Sequence, residues 1–345
     1  MKRKRTNLFF ALSLLFALLS LFALILSRKS EAYASAFDKK ICASFRSFLS
    51  SLSNRVPFSL FELFCVLSPA ILVLFFYFLK KAEGKDALKC FLSMLGVFLL
   101  CFSVSVNTLF ISYGKTSRFA VLEFSESEAS FSLLYLRDKI NFFDNPSYPE
   151  REKLTEKLYS AYSSLDFEEL TLTGEVPRIK KIKNEALASR LGVLGNFSFL
   201  TAEISINLAT PEYTSCFSSA HELAHLFGIA SEGQASFFAY LASLETADAG
   251  IMYSAYLSAF EALFSELYAK NTALYSEIYA SLSDTARSDL AEYRNFYYQY
   301  HGKITDNADK ANGALIEFAA PDNDKGYSLF VNLIVAHISE VSQCN

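Results

Sequence analysis

The residues best suited to do chemistry lie in one short segment, Ser218 to Gly228, which contains the pattern His-Glu-x-x-His. On a helix, His221 and His225 are four positions apart and share one face, so their imidazoles can bind one zinc ion. Glu222 follows the first histidine and can take a proton from a water at the metal. The segment therefore predicts the site of a zinc-dependent hydrolase.

A catalytic zinc ion needs a third protein ligand. Gly228 can end the first helix in a left-handed cap, and a second helix then begins near Glu232. In a tight hairpin of these helices Glu232 lies opposite His225, and we predict it as the third ligand. Glu245 and Glu261 are the alternatives, although Glu245 lies about 20 Å further along a straight helix.

Three apolar runs precede this segment and predict a membrane anchor over residues 1–112. The runs are residues 8–27, 58–79 and 90–111, each long enough to cross a bilayer as a helix. The whole chain is 52% apolar and only 20% charged, which excludes an ordinary, fully soluble protein. A cleaved signal peptide is the alternative for the first run, although that run is longer than a usual signal sequence.

The charges are unevenly divided along the chain. Residues 1–112 carry 14 Lys and Arg against 5 Asp and Glu, and residues 113–345 carry 18 against 31. An acidic C-terminal domain of net charge -13 argues against nucleic acid as a partner. Basic residues are densest in the first seven positions and at 80–89, which predicts that both are cytoplasmic. We therefore expect a multi-pass cell-membrane protein with an extracytoplasmic C-terminal domain.

Residues 113–345 predict a mainly α-helical, zincin-like domain with a few short strands. Helical spacing covers 150–164 and nearly everything after Ser215, whereas 167–173 and 204–208 alternate like strands. Ser231 with Gln234 resembles a capping box, and Ser283 predicts the start of a helix that runs to about Tyr300. The apolar run 327–338 is too short to span a bilayer and predicts a buried helix.

The chain resembles a family of bacterial multi-pass membrane proteins with an HExxH domain, known only as a domain of unknown function. The resemblance rests on His221-Glu-Leu-Ala-His225-x-x-Gly-Ile-Ala-x-Glu232, on Phe199 to Asn207, and on Tyr253 to Leu257. Together with the spans it covers most of the chain. It implies a zinc metallopeptidase-like activity without indicating a substrate.

The resemblance also implies roles for two residues and shows two departures. It brings Glu203 near the site, either as a partner that orients a ligand histidine or as a solvent-facing strand residue. Tyr253 or Tyr256 could donate a hydrogen bond to a tetrahedral oxyanion, and ordinary packing is the alternative role for either. Where the family usually has a second acid and then Asn, this chain has Gln234 and Ser236, so a decayed metal site is an alternative.

These observations predict a membrane-anchored zinc metallopeptidase, with Zn²⁺ held by His221, His225 and Glu232, and with Glu222 as general base. Its partners would be the lipid bilayer and a peptide or protein substrate. The alternative is a non-catalytic membrane scaffold or binding protein whose metal site is structural or degenerate. A closed four-ligand site would favour this alternative, and an open position facing a cleft would favour an enzyme.

Overall fold

The computed structural model describes residues 2–82, 84–118, 124–143, 145–171, 174–268, 271–319 and 327–343, which are mainly helical. In the N-terminal region the elements are α1 (Lys2–Lys29), α2 (Glu31–Phe37), a π-helical turn (Asp38–Cys42), α3 (Ala43–Asn54), α4 (Leu60–Lys81), α5 (Lys85–Thr108) and a 3₁₀ segment (Phe110–Arg118). The remaining elements are α6 (Glu126–Asn141), α7 (Arg151–Ser164), β1 (Ile179–Lys181), α8 (Glu185–Arg190), β2 (Gly195–Ser198), β3 (Glu203–Ile206), α9 (Glu212–Leu226), α10 (Glu232–Glu245), α11 (Ala249–Leu267), α12 (Thr272–Ala280), α13 (Asp284–Tyr300), α14 (Lys303–Ala319) and α15 (Tyr327–Gln343).

Three helices are long and apolar enough to cross a membrane, as predicted. They comprise Thr6–Lys29 within α1, Leu60–Lys81 as α4, and Lys85–Lys115, which joins α5 to the 3₁₀ segment. Helix α1 packs along α5, whereas α4 buries none of its side chains within the protein. Large apolar side chains on α4 therefore face outward, as expected for a helix whose solvent is lipid.

A small three-stranded sheet has the order β1-β3-β2, with β1 parallel and β2 antiparallel to β3. The strand predicted at 204–208 is present as β3. The strand predicted at 167–173 is wrong for residues 167–171, which form a turn and irregular chain, and residues 172 and 173 lie outside the described part. The apolar positions there pack against helices instead, since the Phe167 ring contacts the Phe238 ring at 5.1 Å.

The other helix predictions agree closely with the structure. Helix α7 matches the predicted 150–164, and α13 runs to Tyr300 after Ser283, whose side chain accepts a hydrogen bond from the Ala286 N–H. Helix α15 is largely buried, as predicted for 327–338. The predicted capping box before α10 is wrong, because Ser231 precedes the helix but makes no side-chain capping hydrogen bond.

Two apolar clusters form the core. The first joins the C-terminal ends of α1 and α5 to α7, the sheet, α9 and α10. The second holds α6, α11, α12, α13 and α15 together. The C-terminal ends of two of the long apolar helices thus pack directly against the sheet and the HExxH helix. A boundary at residue 112 remains a prediction, and the shared core crosses it.

Candidate metal centre

The HExxH motif lies in the last three turns of α9, and a sharp turn brings α10 back against it. Gly228 adopts a φ of +93°, which side chains disfavour. Its N–H donates to the His225 carbonyl at 3.0 Å, and the Ile229 N–H donates to the Ala224 carbonyl at 3.0 Å. This left-handed turn ends α9 as the sequence predicts, and α10 begins only four residues later at Glu232.

The hairpin brings His221, His225 and Glu232 together. The Nε2 atom of His221 lies 3.1 Å from the Nε2 of His225 and 3.1 Å from Oε2 of Glu232. The Nε2 of His225 lies 3.6 Å from the same carboxylate oxygen. Among the described residues these three side chains form the group of potential metal ligands that the structure assembles.

The spacing of the three ligand atoms suits a tetrahedral metal ion. Zinc binds histidine nitrogen and carboxylate oxygen at about 2.0–2.2 Å, so two tetrahedral ligands lie about 3.4 Å apart. The observed separations of 3.1, 3.1 and 3.6 Å fall close to that value. Three side chains would hold such an ion and leave a fourth position for another ligand.

The far side of each imidazole is held by a hydrogen bond. The Nδ1 of His225 lies 2.7 Å from the Ile229 carbonyl oxygen, which can only accept, so Nδ1 carries the proton. The Nδ1 of His221 lies 3.1 Å from Oγ of Ser236. In neutral His225 the lone pair is consequently on Nε2, which faces the other two ligands, as in metal sites.

Glu222 lies beside this group and against the edge strand β2. A Cβ placed on Gly195 would lie 2.7 Å from the Glu222 Oε1 atom, so the carboxyl fits only because residue 195 lacks a side chain. Phe197 provides a backbone hydrogen bond to the same carboxyl group. The helix thus supplies Glu222 and the strand fixes its position.

The electrostatics of the site reflect strong coupling between its charges. Burial raises the pKa of Glu222 above its ordinary value. For Glu232, the attraction of His225 and hydrogen bonds from both imidazoles outweigh burial and hold the carboxyl pKa well below its ordinary value. For His225, burial favours the neutral ring, yet the nearby carboxylates raise its pKa to about 9. Positive charge is therefore favoured at the point where the three side chains converge.

All four side chains line a cavity of about 530 Å³. Strand β2 and the loop before it form one wall, and Leu109, Phe110 and Tyr113 of the third membrane helix and its extension form another. Helix α14 adds Ala308, Asp309 and Asn312. The candidate ligands therefore face a space large enough for a small peptide segment.

The structure excludes some of the predicted site residues from this cavity. Tyr256 is not among the lining residues, and its ring packs against Tyr240 at 5.9 Å and Phe143 at 6.3 Å in the second core cluster. Glu245 is exposed at the end of α10. Glu261 is half-buried elsewhere, where it accepts a hydrogen bond from the Tyr213 hydroxyl at 3.3 Å. Of the three acids considered for the third ligand, only Glu232 joins the histidines.

Glu203 has neither of the two roles expected for it. Its buried carboxylate forms an ion pair with Lys180 at 2.8 Å. It also accepts hydrogen bonds from the N–H groups of Leu60 at 3.1 Å and Phe61 at 2.7 Å, and from the Ser59 hydroxyl. Glu203 therefore satisfies the free amides at the start of membrane helix α4, where a negative charge is also favoured by the helix dipole.

Two residues of the site were not predicted from the sequence. Gly195 gives space to Glu222, and Ser236 orients His221. Ser236, which stands where the resembled family usually has Asn, thus still places a hydrogen-bonding group beside His221. A sequence signal existed for Ser236, since it lies one helical turn after Glu232 on α10.

A comparison with known protein families finds one that matches most of the chain. The model of a family described as "Protein of unknown function (DUF3810)" matches residues 37–335. This range contains the second and third membrane helices, the sheet and the metal centre. No curated protein and no solved structure matches the chain. The match covers most of the sequence, and the chain therefore belongs to the DUF3810 family of proteins of unknown function.

Proposed function

We propose that this protein is a membrane-anchored zinc metallopeptidase. The observation that carries the proposal is the near-tetrahedral spacing of the ligand atoms of His221, His225 and Glu232, which open onto a cavity beside Glu222. Two imidazoles and one carboxylate are a common ligand set for catalytic zinc. This supports zinc over harder cations, which prefer oxygen ligands alone.

Each side chain of the centre has a defined task in peptide hydrolysis. A zinc ion held there would polarise a substrate carbonyl and lower the pKa of a water molecule. Glu222 would accept a proton from that water and then pass it to the leaving amine. Burial of Glu222 supports this task, because a raised carboxyl pKa makes the group a better proton acceptor. Gly195 and Phe197 hold the carboxyl in place.

We further propose that the metal centre lies outside the cytoplasm. The basic residues at the N-terminus and at 80–89 favour a cytoplasmic location for both. The opposite ends of α1, α4 and α5 contact the domain, as Leu24, Leu60 and Leu109 illustrate. A peptidase in this position would act on peptide or protein substrates at the outer face of the cell membrane.

A non-catalytic binding protein is the competing function. It would be favoured by a fourth protein ligand that closes the site, and the described residues supply three. Gln234 is buried and Ser236 contacts His221 through its hydroxyl, so neither adds a carboxylate. The open side toward the cavity favours the enzyme.

The proposal is tested by metal analysis and a peptidase assay on the full-length protein in detergent. We expect one zinc per chain in the wild type and none in His221→Ala. Glu222→Gln should retain zinc and lose about 10²–10⁴-fold in peptidase rate, because it removes the proton acceptor without removing a ligand. A pool of randomised peptides serves as substrate, with products identified by mass spectrometry.

His301→Ala is the matched control, since His301 lies outside the metal group and contacts Asp306 at 3.4 Å. It should leave zinc content and rate unchanged. A folded wild-type protein that binds no zinc, or a Glu222→Gln variant as active as wild type, would contradict the proposal.

A further inference from the structure

We infer that the substrate of this site is a membrane-anchored polypeptide, cut within about six residues of the point where its own span leaves the bilayer. The inference rests on the proposed peptidase function and adds the class of substrate to it. Three structural features carry the argument: the origin of the cavity wall, the distance from Glu222 to the membrane helices, and the chemistry of the lining.

One wall of the cavity is built from the third membrane helix itself. Leu109 directly follows the last residue of α5, and Leu109 and Phe110 both belong to the uncharged run 90–111. Tyr113 follows on the 3₁₀ extension. The neighbouring Gly114 lies against the backbone of Ser27, near the end of the first span. The cavity therefore begins at the level where two spans leave the membrane.

The sheet provides a measure of how far Glu222 lies from the second span. Glu203 of β3 bonds the first backbone amides of α4, and Glu62 in the same turn accepts a hydrogen bond from the Lys183 N–H at 3.0 Å. The start of this span is thus attached both to β3 and to the chain just after β1.

Strand β2 leads from this attachment to the catalytic carboxyl. Ser198 pairs with Glu203, and Gly195, three residues earlier on the same strand, contacts Glu222. Three residues of strand extend about 10 Å. An extended chain leaving the bilayer nearby covers the same distance in about three residues. Peptide bonds about three residues from a span, or up to about six where the path is not straight, can therefore reach the centre.

The lining of the cavity suits the residues that flank a span. Phe110 and Phe199 contact each other at 5.7 Å between ring centroids, and Phe197 and Phe217 also line the space. Aromatic residues are enriched where chains cross the membrane interface, and aliphatic residues fill the adjoining span. A pocket of this kind would bind such a segment by burying its apolar side chains.

The test compares the same peptide pool at different distances from a membrane. The full-length, zinc-loaded protein is placed in lipid nanodiscs of phosphatidylethanolamine and phosphatidylglycerol. One probe carries a randomised segment directly after a span of about 20 leucines. A second probe has a Gly-Ser spacer of about 20 residues between the two, which separates them by about 25 Å on average. The third probe is the free randomised segment, and mass spectrometry locates every cut.

We expect cuts in the first probe to fall within about six residues of the span, and we expect at least a tenfold lower rate with the spacer or without the span. Glu222→Gln should slow every cut by about 10²–10⁴-fold. Equal cleavage of the three probes would overturn the inference and leave the peptidase proposal intact. No cleavage of any probe by the zinc-loaded wild type would refute both.

Discussion

Two clusters of charged side chains lie on either side of the same helix end, and they differ in whether they face a cavity. The metal centre consists of His221, His225 and Glu232. The second, which we call the ionic cluster, consists of Asp38, Arg46 and Lys115. Arg46 Nη1 and Lys115 Nζ lie 2.8 Å and 2.6 Å from the Asp38 carboxylate oxygens.

The two clusters use their charges differently. In the ionic cluster, Asp38 and Arg46 are completely buried, and Ser112 donates a further hydrogen bond to Asp38 at 2.7 Å. In the metal centre, the side chain of Glu232 keeps 40% of its surface exposed, and the ligand atoms converge on a shared point. The ionic cluster is therefore closed and structural, whereas the metal centre is open to a ligand. A cluster of opposite charges is therefore not by itself a sign of a functional site. The sign of a candidate ligand site is that the side-chain ligand atoms converge on one point beside a cavity.

The largest effect should come from breaking the closed cluster. Asp38→Ala leaves Arg46 and Lys115 as buried cations without their carboxylate, and the free energy of unfolding should fall by about 3–5 kcal/mol. Despite burial, Arg46 and Lys115 hold the Asp38 pKa well below its ordinary value. The charged pair is thus present at neutral pH, and its contribution is lost only as pH falls below about 4.

Urea unfolding of the full chain in detergent micelles at pH 7 and at lower pH measures this effect. Asp138→Ala is the control, because its ion pair with Arg137 is exposed and should contribute less than about 1 kcal/mol. A loss in Asp38→Ala no larger than in this control would mean that the ionic cluster does not stabilise the fold.

The second effect concerns the open cluster and its ligand. At a free zinc concentration about 100-fold above Kd, wild-type stability should rise by about 2.7 kcal/mol, because zinc binds only the folded protein. His225→Ala should show no such rise, whereas Asp138→Ala should show all of it. Unfolding curves with and without zinc measure the difference. An undiminished rise in His225→Ala would place the zinc elsewhere on the chain.

The two clusters also differ in how far the sequence predicts them. His221, Glu222 and His225 are within five residues, so helical spacing alone places them together, and the hairpin at Gly228 adds Glu232. The ionic cluster joins positions that are up to 77 residues apart in sequence. No local sequence pattern predicts such long-range pairs, because they depend on how the π-helical turn, α3 and the 3₁₀ segment pack together.

Other parts of the fold were missed for identifiable reasons. Helices α2 and α3 lie in the loop between the first two apolar runs, for which the charges predict an orientation but no secondary structure. Helix α6 was also missed, although Ser125 and Glu128 form a full capping box at its start. Glu203 could not be assigned, because its partners at Leu60 and Phe61 lie more than 140 residues away. Local spacing predicts helices and the motif, while long-range polar contacts require the structure.

The third effect tests the residue at which the two clusters meet. Gly228 ends α9, which carries the candidate ligands His221 and His225, and a Cβ placed there would lie 2.6 Å from Arg46 Nη2 and 2.9 Å from Asp38 Oδ2. Gly228→Ala adds a left-handed backbone penalty of about 1–2 kcal/mol to this clash. Both the unfolding free energy and the zinc affinity should fall. Gly174→Ala, with no atom within 4 Å of the added Cβ, is the control. A change in stability without any change in zinc affinity would show that the clusters are independent.

The smallest effect should separate proton transfer from metal binding within the open cluster. In Gly195→Ala, the added Cβ would lie 2.7 Å from Oε1 and 2.8 Å from Cγ of Glu222, so the carboxyl must move. Because His221, His225 and Glu232 are untouched, zinc content should stay at one per chain while kcat falls about tenfold, or 1.4 kcal/mol in the barrier. Metal analysis with peptidase kinetics measures both quantities, and Gly174→Ala again serves as the control. Loss of zinc together with activity would mean that β2 supports the ligands themselves. Unchanged kcat would mean that the open space beside Glu222 has no part in the reaction.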